Sequence, residues 1–200
     1  MRDVQSTDAQ FAIDASGWVA PARHLPSPNH DARPDAARIE LLLIHNISLP
    51  PGEFGTGAIE RLFTNCLDHE AHPYFGTLRG LRVSAHFLIA RDGLLTQFVA
   101  CTDRAWHAGE SVFEGRPRCN DFSVGIELEG TDTLAYSDAQ YDALGRLGRA
   151  LFVAYPLRAV RGHNDVSAPR KTDPGASFDW PRFARALNVG PAAFALSHFG

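Results

Sequence analysis

The chain has 200 residues, enough for one domain with a full core and short for two. Hydrophobic residues make up 44% and charged residues 21%, with a formal net charge of -4: an ordinary soluble composition, without the basic excess of a nucleic-acid or membrane-surface binder. No apolar run nears the ~20 residues of a membrane span, and the N-terminus lacks the continuous apolar core of a secretory signal. Three scattered cysteines, Cys66, Cys101 and Cys119, form no CxxC pair and fit free thiols in a reducing compartment. The expectation is a cytoplasmic protein with no nucleic-acid or membrane partner.

Residues 1–16 read as a weakly ordered N-terminal arm. Residues 21–35 carry four prolines and read as extended and irregular. In residues 38–48, Ile39, Leu41, Leu42, Leu43 and Ile44 form an apolar run suited to a strand covered on both faces. Ile59, Leu62, Phe63 and Cys66 recur at helical spacing and predict a helix over 58–70. Residues 84–100 read as two short strands joined through Arg91-Asp92-Gly93. A long irregular stretch, 103–120, is rich in Trp, His and Arg. Residues 122–130 read as a strand by β-branched and aromatic content.

The clearest helix is 137–156, with Ser137 or Asp138 to cap it, Tyr141, Leu144, Gly148, Leu151 and Phe152 on one face, and Pro156 to end it. A short strand ends at Gly162. A loop with two prolines, 162–175, is expected to be neither helix nor strand, and a last helix spans 177–187. The organisation predicted is a single domain over 17–187 with a loose tail, 188–200. The fold class is α/β, one mixed sheet flanked by helices, with any site at strand ends and loops.

His45 follows the first apolar run, His163 follows another strand-like run, and Asp173 sits ten residues further on. Each alone reads more readily as a half-buried or solvated residue than as a ligand. Together, two imidazoles and a carboxylate suit zinc and leave a fourth position for water. Glu127 lies in an apolar strand, where a carboxylate is costly unless it is paired or works. Glu129 has the same parity and is the alternative, and both could instead face solvent on an edge strand. Lys171 can reach the same space and stabilise an oxyanion.

The combined pattern H45-N, W106-H107-A-G, G-I-E127-L-E129-G, G-H163-N and K171-T-D173-P-G is far more specific than any part. With "HNISLPPGEFG", "AHPYF", "LRVSAH", "RCNDFS", "GIELEGTDTLAY" and "RKTDPG", the chain resembles the N-acetylmuramoyl-L-alanine amidase type 2 family of the peptidoglycan-recognition-protein superfamily over about residues 17–187. It looks most like the family's bacterial zinc amidases of cell-wall recycling. The resemblance implies one zinc per chain on His45, His163 and Asp173, with Glu127 as general base and then acid and Lys171 on the oxyanion. It implies cleavage of the lactyl–L-alanine bond of 1,6-anhydro-N-acetylmuramyl peptides by a zinc-activated water. A link to β-lactamase induction comes by the same resemblance.

For the substrate, Trp106 suits a sugar face or equally a core position. Arg82 and Arg118 suit stem carboxylates. Asn46 and His107 complete the candidates, His107 alternatively standing behind the metal ligands, and a monomer is expected. Rival readings are a peptidoglycan-binding module without catalysis, an exported wall amidase, and a cysteine hydrolase pairing Cys101 or Cys119 with His107.

Overall fold

The structure is a computed structural model that describes residues 10–34 and 37–188. Its central sheet has six strands: β1 (Arg23–His24), β2 (Leu41–Ile47), β3 (Phe87–Ile89), β4 (Leu95–Gln97), β5 (Ser123–Glu129) and β6 (Ala159–Gly162). The order is β6-β2-β5-β3-β4-β1. β6, β2, β5 and β3 run parallel, β4 returns antiparallel to β3, and β1 lies parallel to β4. The sheet is therefore mixed, as predicted. The β3–β4 turn runs through Gly93, whose φ of 86° is one that few side chains tolerate.

Strand alternation explains the two faces. Leu42 and Ile44 of β2, Val124, Ile126 and Leu128 of β5, and Phe87 and Ile89 of β3 share the main core. Residues of α3 (Asp138–Ala154) and α5 (Trp180–Leu187) cover them. On the opposite face Leu41 and Leu43 pack with Phe113 and Phe122, while Leu88 packs with Phe98 and with α1 (Ala58–Phe63). His45 and Glu127 have that second parity, and the β2–β5 register sets them directly side by side. The apolar spacing of β2 and β5 thus delivers two polar side chains to one spot.

Ser137 begins α3 with a full capping box: its Oγ accepts from Gln140 N at 3.1 Å, and Gln140 Oε1 accepts from Ser137 N at 3.1 Å. Ser137 Oγ also donates to the carbonyl of Arg91 at 2.6 Å, tying the helix start to the β3–β4 turn. Ser137→Ala is expected to cost about 1 kcal/mol, read as a lower urea midpoint with unchanged slope. An unchanged midpoint would mean the cap contributes nothing net.

Several elements differ from the sequence reading. The helix expected over 58–70 stops at Phe63, because Thr64 Oγ1 bonds back to Glu60 O at 2.8 Å and Asn65 turns left-handed, with φ 60°, to exchange side-chain hydrogen bonds with Asn29. Cys66 is consequently exposed. A short helix, α2 (Pro73–Gly76), follows. The stretch 103–120 is not irregular throughout: Asp103–Ala105 pairs with His30–Ala32, and Val112–Phe113 with Arg116–Pro117. The loop 162–175 opens with a one-turn helix, α4 (His163–Ser167).

The last helix begins at Trp180, capped by Asp179, which accepts from Arg182 N at 2.8 Å. Within the expected arm, Ala12–Ile13 pairs with Val19–Ala20 and Phe11 is buried in the main core. Residues 1–9 of the arm and 189–200 of the tail lie outside the described residues. Among the described residues no helix is long and apolar enough to cross a membrane.

Candidate metal centre

β6 pairs with β2 so that Gly162 lies opposite Ile44. The next residue of each strand's path, His163 and His45, therefore emerges at the same end of the sheet. Asp173 returns on the loop after α4, held there by its carbonyl, which accepts from Asn164 N at 3.0 Å. The three side chains close a triangle: His45 Nδ1 to His163 Nδ1 is 3.0 Å, and each nitrogen is 3.1 Å from Asp173 Oδ2. Among the described residues this is the one group of three His, Cys, Asp or Glu placed to hold a metal ion.

The outer ring nitrogens show which form each imidazole takes. His163 Nε2 lies 3.0 Å from the Ala108 carbonyl, which only accepts, so Nε2 carries a proton, and in the neutral tautomer Nδ1 is the atom that presents a lone pair. His45 Nε2 lies 2.9 Å from His107 Nδ1. Burial first of all holds the His45 pKa down, to about 4, so this ring is neutral at neutral pH. Neutral imidazoles and an ionised carboxylate are the ligand forms of these groups. Converging lone pairs at such distances repel unless a cation lies among them, and the spacing suits donors about 2.0–2.2 Å from one ion. The residues present fit a divalent metal.

Glu127 is buried beside this triangle, and its Oε2 has no hydrogen-bond partner. Burial, then the negative Asp173, push its carboxyl well above the usual value, with Lys171 opposing. A cavity of about 300 Å³ opens at the group, lined by Glu127, Lys171 and Asp173 and by an apolar wall that includes Leu49, Leu62 and Phe63. A second, more polar depression of about 470 Å³ shares Asn46, Lys171 and Asp173 and adds Thr131, Thr133 and Arg170. Lys171 and Asp173 thus lie between two recesses, an arrangement able to hold an extended ligand across the metal position.

The structure brings most of the sequence candidates together. Trp106 and His107 line the first cavity, and Asn46 lines both while donating to Asp132 Oδ1 at 2.8 Å. It does not bring Arg118, which is paired with Asp121 at 2.9 Å and lines neither recess. Arg82 is exposed and also lines neither, though its neighbours Leu81 and Val83 do. Glu129 is buried but accepts from Gly55 N at 2.6 Å and Arg91 N at 3.2 Å, so it braces two loops. The edge-strand alternative for both glutamates fails, since β5 lies between β2 and β3. Buried Cys101 has its thiol pushed up to about 12 by burial, and burial raises Cys119 as well, so neither offers the thiolate a cysteine hydrolase needs.

Some site residues were not singled out from the sequence. Tyr74 and Leu78 extend the cavity wall from the α2 region. Asn120 Oδ1 accepts from His107 N at 3.2 Å and Ala108 N at 2.8 Å, holding the segment that meets both imidazoles. Ser123 touches His107. Its signal was legible, since Ser123, Gly125 and Glu127 alternate onto one strand face.

A mixed sheet with a metal-ready triad at its strand ends and a buried, unpaired carboxylate beside it has the make-up of a metallohydrolase. Residues 35–176 match the N-acetylmuramoyl-L-alanine amidase family, and the chain belongs to that family. It is 59% identical over 173 residues to the 1,6-anhydro-N-acetylmuramyl-L-alanine amidase AmpD of Citrobacter freundii, covering 86% of this chain and 92% of that one. The crystal structure of a selenomethionine AmpD derivative superposes with a TM-score of 0.85 at 56% identity, covering 87% of this chain and 98% of that chain. The amidase AmiD from E. coli, in complex with its substrate anhydro-N-acetylmuramic acid-L-Ala-D-gamma-Glu-L-Lys, superposes with a TM-score of 0.56 at 25% identity, covering 89% and 66%.

Proposed function

We propose that this protein is a zinc-dependent amidase of bacterial cell-wall recycling, acting in the cytoplasm as a monomer with one zinc. It hydrolyses the amide between the lactyl carbonyl and L-alanine of 1,6-anhydro-N-acetylmuramyl peptides. The observation that carries the reading is the buried, unpartnered Glu127 carboxyl set in register beside His45 of a metal-ready triad. The 59% identity to AmpD, over 92% of that chain, supports the substrate.

His45, His163 and Asp173 would hold the zinc. When bound, zinc supplies a Lewis acid that acidifies water toward neutral pKa and polarises a carbonyl. Glu127 takes the proton of the attacking water and returns it to the alanine nitrogen, without which the amide does not break. Lys171 donates to the lactyl oxygen as charge develops there, a role commonly worth ~2.7–4 kcal/mol per donor. The Leu49, Leu62 and Phe63 wall keeps bulk water from that oxygen, and Trp106 packs the sugar. Asn46 and the polar depression take the peptide stem.

Mass spectrometry of metal-loaded protein incubated with 1,6-anhydro-N-acetylmuramyl-tripeptide and with its non-anhydro counterpart tests this. Free tripeptide is expected from both, faster from the anhydro sugar. Tight binding without cleavage would instead identify a recognition module. Equal rates would remove the anhydro preference and with it the recycling role.

A further inference from the structure

We infer that the His107-Ala108 segment, with Ser123 and Asn120, is the positioning element that fixes the orientation and tautomer of both metal-ready imidazoles. This rests on the metal reading above. The proton order along the line from His45 follows from its far end. Ser123 Oγ lies 2.6 Å from the Cys119 carbonyl, which can only accept, so the single hydroxyl proton is used there. Toward His107 Nε2, at 3.2 Å, Ser123 can then only accept, and His107 Nε2 must carry its proton. Neutral His107 therefore offers a lone pair at Nδ1. That atom accepts from His45 Nε2 at 2.9 Å, which leaves His45 Nδ1 bare and facing Asp173.

A reversed line would put a proton on His45 Nδ1 and remove it as a ligand. The neighbouring residue does the same for the second imidazole, since the Ala108 carbonyl accepts from His163 Nε2. One dipeptide thus sets both rings, and Asn120 Oδ1 clasps its two N–H groups. The His107 ring lies so close to Gly125 that any Cβ there would overlap it, so the β5 glycine is the seat of the ring. The His45 and His107 rings meet nearly edge to face, 5.0 Å between centroids at 86°. His107 is accordingly a positioning residue.

The test is zinc affinity, measured without substrate by competition with a chromophoric chelator, for the wild type, His107→Ala, His107→Asn and Ser123→Ala. Metal-free thermal melts check folding, and the visible spectrum of cobalt-loaded protein reports ligand geometry. Loss of a group that orients a ligand typically costs 10–100-fold in metal affinity. About that loss is expected for His107→Ala, a smaller one for Ser123→Ala, and an altered cobalt spectrum for both. His107→Asn, whose Oδ1 can occupy the Nδ1 position and accept from His45, is expected to recover most of the affinity. Equal affinity in all four proteins, or a loss in His107→Asn as large as in His107→Ala, would overturn the inference. If His107→Ala does not fold, Ser123→Ala against the wild type decides. A wild type that binds no zinc would sink the metal centre itself, a different failure from variants that bind as well as a zinc-binding wild type.

Discussion

Glu127→Gln is expected to lower kcat by about 10²–10⁴-fold, the range a positioned acid–base group contributes, with zinc content unchanged. The substitution keeps the shape of the side chain and removes only its ability to take and return a proton. The same variant is expected to be more stable than the wild type when metal-free. Burial and the charge of Asp173 raise the Glu127 carboxyl well above its ordinary value, so folding must bury an anion or bind a proton. For a carboxyl raised on folding, that cost is absent below the unfolded pKa of about 4.3 and grows as pH rises toward the folded value. The melting temperatures of wild type and Glu127→Gln should therefore coincide near pH 4 and diverge above it, the variant higher. A variant that melts lower at pH 7 would show that Glu127 is paired rather than held in reserve.

Asp173→Ala and His163→Ala should each weaken zinc binding by more than about 100-fold, the upper end of what loss of a group orienting a ligand costs, and activity should fall to background at equal zinc. Asp173 supplies the only negative charge in the triangle, and without it two neutral imidazoles hold a dication poorly. Neither variant should be strongly destabilised when metal-free, because removing one corner relieves the 3.0–3.1 Å crowding of like lone pairs. Zinc titration followed by calorimetry checks both statements. Stoichiometric tight zinc in Asp173→Ala would dismiss Asp173 as a ligand.

The elements that place the site were readable because burial dictates their pattern. The β2 run, the parity of Glu127 in β5 and the capped α3 all follow from which side chains must leave water. His45, Glu127, His163, Lys171 and Asp173 were read from motif and resemblance, and they meet on one sheet end. What stayed hidden was pairing between distant segments. Nothing local marks β5 as interior rather than edge. The end of α1 at Phe63 depends on Asn65 meeting Asn29, 36 residues away in the chain. His107 was noticed for its motif, yet its contact with His45 spans 62 residues and needs Gly125 to admit the ring.

The most direct measurement is a zinc titration of metal-free protein against 1,6-anhydro-N-acetylmuramyl-tripeptide, with tripeptide release and bound zinc followed together. Release should rise linearly with zinc, break at one ion per chain, and vanish on chelation. Cleavage that proceeds in the metal-free protein, or that survives Asp173→Ala at full rate, would contradict the account.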